Sequence, residues 1–188
     1  MEHMFAPSSA PLSGLNPHVV LGIDPGLTRC GYAVLQTENS QSVRALALGV
    51  VRTPATMALP GRLALLQTEI GELLGQFRPG AVAIEQVFFQ NNVRTAMSVG
   101  QASGVVLALA ATAGCDVAQY TPSQVKSAVA GWGGADKSQV QKMVQQRLGL
   151  SVAPKPADAA DAAAIALCHS SVAPVRQATQ AALARSAR

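Results

Sequence analysis

Between residues 19 and 120 the chain alternates between short, densely apolar runs and longer segments with helical spacing. Val19–Asp24 is a run of aliphatic residues closed by Pro25-Gly26, the mark of a buried strand entering a turn. Gly31–Gln36 predicts a second strand, and Ser42–Arg52 alternates like a third. The links between the three are short, which implies an antiparallel meander. Leu63, Leu66, Ile70 and Leu73/Leu74 fall on one face of a helix over Leu59–Phe77, stopped by Arg78-Pro79-Gly80. Ala81–Glu85 predicts a fourth strand, Val93–Ala113 a long helix of small residues, and Cys115–Tyr120 a fifth strand. Thr121 before Pro122 caps a short helix; Ala135 or Asp136 opens another that ends near Leu148; a last helix covers Ala157–Ser171. The order predicts an α/β fold: a mixed five-stranded sheet, three antiparallel strands and then parallel ones, with helices on both faces.

The ends read differently. Residues 1–17 are rich in Pro, Ser and small side chains without periodicity, and predict a disordered extension. Residues 172–188, rich in Ala, Gln and Arg, predict a flexible tail of frayed helix, leaving 18–171 as one domain. The extension lacks the charged and apolar regions of a signal peptide. The most apolar helical stretch, around Gly104–Ala113, is too short to cross a bilayer.

Composition sharpens this reading. Hydrophobic residues make up 49% of the 188, which excludes a chain disordered throughout. Aromatics are only 4%, so Ala, Val and Leu must build the core, and helices must approach the sheet closely. Cys30, Cys115 and Cys168 are odd in number, far apart and in apolar surroundings, which suits reduced core thiols in a cytoplasmic protein. The net charge of +4 is unevenly spread: residues 1–117 carry six Arg against seven acids, residues 118–188 eight bases against three Asp. All four lysines lie between Lys126 and Lys155. A nucleic-acid partner and a merely solvated basic face both fit that asymmetry.

Four acids stand at places where acids are costly or clustered. Asp24 and Glu85 each end a run that should be buried, where a carboxylate needs a partner or a cation. If the two strands are parallel neighbours, both emerge at the carboxyl edge of the sheet, where open α/β sheets bind ligands. Asp158 and Asp161, three apart, share one helix face. In a first turn they also complement the helix dipole, which accounts for that pair without any ligand. Four converging carboxylates become reasonable around divalent ions, and an all-oxygen donor set suits Mg²⁺ or Mn²⁺. Two such ions would activate a water and stabilise a leaving oxygen. The Asp24-Pro25-Gly26-Leu27-Thr28 loop has a rival reading, the phosphate loop of actin-like kinases, but such kinases need a far longer, duplicated chain.

Taken in order, these segments resemble the RuvC family of Holliday junction resolvases. Leu21-Gly22-Ile23-Asp24-Pro25-Gly26 with Gly31-Tyr32 is similar to its first motif, and Ile84-Glu85-Gln86-Val87-Phe88 to its second. Gln124-Val125-Lys126 and Lys137-Ser138-Gln139-Val140 resemble the intervening segment, and Ala157-Asp158-Ala159-Ala160-Asp161-Ala162 the closing acidic motif. The resemblance runs from about Val19 to Ser171; each motif alone is weak, and their joint order and spacing are specific. It implies an RNase H-like fold and a homodimer that nicks two symmetric strands of four-way junction DNA, working with the branch-migration proteins RuvA and RuvB. By position it assigns catalysis and metal binding, with two Mg²⁺ or Mn²⁺ ions per site, to Asp24, Glu85, Asp158 and Asp161. Lys126 and Lys137 match positions that contact DNA or assist at the scissile phosphate, and Phe88 an aromatic that stacks on a base near the crossover. Some relatives carry His at the position of Asp158. The ends outside the resemblance receive no role.

Other residues keep two readings. One ring of Phe88 and Phe89 suits the core; both do not, because Gln90-Asn91-Asn92 demands a surface turn. An exposed ring there suits base stacking. Arg94 is a phosphate contact or a solvated helix residue, and Lys142 joins the same basic run as a DNA contact. Trp132, between glycines, packs its loop down or touches DNA, the first being preferred. His169 is expected to be structural. The small-residue helix packs on its own sheet or forms a dimer face, and the family resemblance favours the dimer. A nuclease for another substrate, such as RNA–DNA hybrid or flapped DNA, and a junction-binding module that does not cut remain the rival functions; the four acids argue against the second.

Overall fold

In the computed structural model, residues 14–39, 42–86 and 93–186 are described, without the side chains of 39, 93–95 and 174–186. Strands β1 (Asn16–Asp24), β2 (Arg29–Asn39) and β3 (Ser42–Arg52) come first. They are followed by α1 (Leu59–Phe77), β4 (Pro79–Glu85), α2 (Val93–Thr112) and β5 (Asp116–Tyr120). Three helices close the chain: α3 (Pro122–Ala130), α4 (Lys137–Arg147) and α5 (Ala157–Ser186). The sheet order is β3-β2-β1-β4-β5. The first three strands pair antiparallel, and β4 and β5 add in parallel to β1. This is the mixed five-stranded sheet that the pattern predicts.

Alternation along each strand divides the core in two. Val19, Leu21 and Ile23 of β1, with Cys30, Val34, Val82 and Ile84, face α1 and α2. Val20, Ala33, Leu35, Ala81, Ala83, Ala118 and Tyr120 face the other way, onto α3, α4 and α5. Burial on both faces is why the central strands read as continuous apolar runs. The stretch Ala162–Cys168 of α5 is buried all round, and alanine lets it lie close to the sheet.

Several boundaries differ from the expectations. β1 begins at Asn16 and β4 at Pro79, because Asn16 pairs with Pro79 in the parallel ladder. Gly80 permits that approach: a Cβ there would lie 2.7 Å from Pro17 Cα. The stop of α1 is Arg78 itself, in the left-handed region at φ 44, with its N–H on the Leu74 carbonyl. α5 continues as helix to Ser186 instead of ending at Ser171. The two short helices begin as read, with capping boxes formed by Thr121 with Gln124 and by Asp136 with Gln139. The three cysteines are buried and free, as expected. Among the described residues no helix is long and apolar enough to cross a membrane.

Candidate active site

Parallel pairing of β1 with β4, in register Ile23 with Ile84, sets the next residues of both strands, Asp24 and Glu85, side by side at the carboxyl edge of the sheet. Period-two alternation turns both toward the α5 face, since Val20, Ala81 and Ala83 already point there. α5 then delivers Asp158 and Asp161 to the same edge. Its approach depends on two glycines. A Cβ on Gly22 would lie 2.3 Å from the Ala162 carbonyl oxygen, and one on Gly31 would lie 2.1 Å from that of Asp158.

Asp24, Glu85 and Asp161 line an open cleft of about 430 Å³ together with Lys126 of α3 and Lys137 of α4. Burial, then repulsion from Glu85, Asp161 and Asp158, pushes the Asp24 carboxyl up to about 7. Glu85 is raised for the same reasons, burial first and Asp161 next, with Lys137 and Lys126 opposing. The Lys137 ammonium donates to Asp161 Oδ2 at 2.6 Å, a bond that raises the lysine. Asp158 lies at the rim, where both Arg29 Nε, at 3.0 Å, and Nη2 donate to its Oδ2.

Among the described residues no three of the His, Cys, Asp and Glu side chains already form a ready cage for an ion. Asp158 and Asp161 are turned to Arg29 and Lys137 instead. The donor set nonetheless fits a hard divalent cation. It is all oxygen, it brings four carboxylates to one sheet edge, and burial disfavours the charged form of Asp24, which a bound cation would favour.

The family model for the crossover junction endodeoxyribonuclease RuvC matches residues 20–169. The chain belongs to the RuvC family. It is 55% identical over 150 residues to the RuvC of Leifsonia xyli, covering 80% of this chain and 72% of that one. With the RuvC of Nocardia farcinica it is 52% identical over 168 residues, 89% of each chain. Thermus thermophilus RuvC in complex with a Holliday junction substrate superposes at a TM-score of 0.79 with 43% identity, over 83% of this chain and 94% of that one. The fold is therefore RNase H-like, and the chain is a crossover junction endodeoxyribonuclease, a metal-dependent hydrolase. The kinase reading of the Asp24–Thr28 loop falls away.

The remaining residues separate. Phe88 and Phe89 lie outside the described residues, as does the side chain of Arg94. Lys142 is exposed on α4 and does not line the cleft. Trp132 is 58% exposed, although its ring lies against Gly134, where a Cβ would come within 2.2 Å. Packing of its loop thus covers only part of the indole. His169 is buried, and its Nδ1 shares a 3.0 Å hydrogen bond with the Tyr120 hydroxyl, in keeping with a structural part.

Two features escaped the sequence reading. Arg29 is one; alternation puts it on the face of Gly31, but only the docking of α5 brings it to Asp158. The other is a brace behind the Pro25–Thr28 loop. The Thr53 hydroxyl donates to the Leu27 carbonyl, while Arg62 donates to Thr53 at 2.8 Å and to Thr28 at 2.7 Å. Neither carries a local motif, since each joins separate elements.

Proposed function

We propose that this chain resolves four-way DNA junctions by paired symmetric nicks, hydrolysing phosphodiester bonds at Asp24, Glu85, Asp158 and Asp161. The observation that carries this reading is the convergence of these acids at one sheet edge beside two lysines, in a fold shared with a junction-bound relative. Two Mg²⁺ or Mn²⁺ ions would supply a water of lowered pKa and stabilise the leaving oxygen. Asp24 and Glu85, fixed on neighbouring strands, give the rigid half of their cradle; Asp158 and Asp161 give the half carried by α5. Lys126 and Lys137 meet the scissile phosphate. The burial that lifts Asp24 keeps bulk water from competing at its carboxylate. The proposed nuclease unit, read from the sequence as residues 18–171, takes in Asn16 and Pro17 as well, since β1 begins there.

Paired nicks require two sites, hence a homodimer. The outer face of α2 supports one: Ala102, Val106 and Ala110 pack inward, while Met97, Gln101, Gly104 and Ala108 are exposed. RuvA and RuvB are the proposed branch-migration partners, Phe88 is the proposed contact with a base at the crossover, and Phe89, Arg94 and Lys142 are further proposed DNA contacts.

A side-by-side assay of four-way junction, duplex and RNA–DNA hybrid, each with Mg²⁺ or Mn²⁺, tests the substrate. Selective, symmetric cutting of the junction is expected; preferential cutting of hybrid would transfer the chain to another nuclease activity. Phe88→Ala is expected to slow cutting of an intact junction more than of one with unpaired bases at the crossover, where a stacking cost of about 1–3 kcal/mol per base is already met. Equal loss on both substrates with a large fall in melting temperature would make Phe88 a core residue.

A further inference from the structure

Arg29 has no part in the motifs above, yet it makes the most direct contact with any of the four acids at the rim. It opens β2, two residues before Gly31, so its side chain leaves the sheet on the face that α5 covers. At Gly31 the strand and the first turn of α5 are in contact, close enough to exclude a Cβ. That contact fixes the distance from Arg29 to Asp158. The guanidinium then places two donors on a single oxygen, Asp158 Oδ2, in a charge-assisted pair spanning 129 residues of sequence. Among the described residues the other carboxylate oxygen of Asp158 takes no hydrogen bond. Neither partner is deeply buried: the side chains are 42% and 27% exposed, so the guanidinium has solvent into which it can withdraw.

We propose that Arg29 is a resident counter-ion that competes with a divalent metal ion for Asp158, and so sets how tightly the Asp158 side of the site binds metal. The proposal rests on the metal-site reading given above. A carboxylate oxygen held by two donors cannot offer those lone pairs to an ion. A cation that binds through Oδ2 must break the pair, and one that binds through the open Oδ1 still meets the repulsion of a guanidinium held nearby by β2. Removing Arg29 eliminates both obstacles. Arg29 is thus a positioning residue that acts through Asp158. The matching pair of Lys137 with Asp161 differs, because Lys137 lines the cleft and can reach a phosphate there.

The test is calorimetric titration of the full chain with Ca²⁺, as a non-cleaving probe, without DNA. Wild type, Arg29→Ala, Arg29→Lys, Asp158→Asn and the Arg29→Ala/Asp158→Asn double variant are compared. Arg29→Ala is expected to tighten Ca²⁺ binding roughly ten-fold, equivalent to about 1.4 kcal/mol. Arg29→Lys, with its charge kept and its fork lost, should fall between the two. In the Asp158→Asn background most of that gain should vanish, because the shared carboxylate is gone and only the guanidinium's repulsion remains. Unchanged or weaker Ca²⁺ binding by Arg29→Ala, with wild-type melting behaviour, overturns the proposal. So does a ten-fold gain that persists without Asp158. A parallel junction titration separates the main rival: weaker junction binding with a flatter salt slope and unaltered Ca²⁺ affinity would make Arg29 a phosphate contact. If Asp24→Asn binds Ca²⁺ as well as wild type, the metal-site reading itself fails, and this proposal with it.

Discussion

At Asp24 the needs of folding oppose those of its proposed catalytic role. Burial beside three other acids raises its carboxyl from 3.8 to about 7. A carboxyl raised on folding costs nothing below its unfolded pKa, where both states are protonated, and the full amount above its folded pKa. Without divalent ions, stability should therefore fall as pH climbs from about 4 to 7, by up to about 4 kcal/mol from this group. Asp24→Asn should accordingly melt higher than wild type near pH 8 and equally near pH 4, as a thermal melt series would show. The same variant should bind junctions and fail to cut them, and Mg²⁺ should raise the melting temperature of wild type only. A lower melting temperature for the variant near pH 8 would refute the assigned burial cost. Lys126→Ala and Lys137→Ala test the opposite charge. Each should weaken junction binding and flatten its salt slope by roughly one unit, and Lys137→Ala should also slow cutting at saturating enzyme. Unchanged binding and rate would leave these lysines as a solvated face.

Among the elements, α5 governs the site. It lies against β1 and β2 at two glycines where any Cβ would strike helix backbone. Gly22→Ala or Gly31→Ala must push α5 outward, at a stability cost of about 1–3 kcal/mol. Because Asp158 and Asp161 ride on α5 while Asp24 and Glu85 stay on the sheet, the displacement should reduce cutting well beyond the loss of folded protein. Rates measured far below each variant's melting temperature would separate the two effects. Gly75 of α1 is the control: a Cβ there meets nothing within 4 Å. Gly75→Ala should leave cutting intact and stabilise the helix by roughly 0.5–1 kcal/mol. Equal activity of the Gly31 and Gly75 variants would show that close docking of α5 is not what sets the site.

For the whole molecule, charge and symmetry matter most. Among the described residues, Lys126, Lys137, Lys142 and Arg147 stand on α3 and α4, which pack on the same face of the sheet as the acids. One face can thus hold the phosphate backbone and cut it. The opposite layer, α1 with α2, is where the proposed dimer face lies, and the exposed positions Met97, Gln101, Gly104 and Ala108 of α2 are uncharged. Ala108→Arg, at an exposed site of that helix, should yield a folded monomer by sedimentation. Nicks on the two strands should then lose their coordination, visible as accumulation of singly nicked circular junction substrate. A variant that remains dimeric would move the interface elsewhere.

Much of this protein was legible along the chain because the relevant signals are local. Strand alternation, the helix stripe of α1, and the caps at Thr121 and Asp136 each depend on residues within a few positions. Asp24 and Glu85 stood out because a carboxylate after a buried run has few inexpensive explanations, whereas Asp158 and Asp161, taken alone, were accounted for by the helix dipole. Tertiary structure alone decided what depends on contact between distant segments. Parallel pairing of β1 with β4 made Asp24 and Glu85 neighbours, and the sequence could offer that only as a condition. The Arg29–Asp158 pair and the Thr53–Arg62–Thr28 brace have no periodic trace, since their partners belong to different elements. The glycines at 22 and 31 look like ordinary strand glycines until α5 is laid against them. Local periodicity fixes which face a side chain leaves from; what it meets there is set by register and by how closely the next layer can approach.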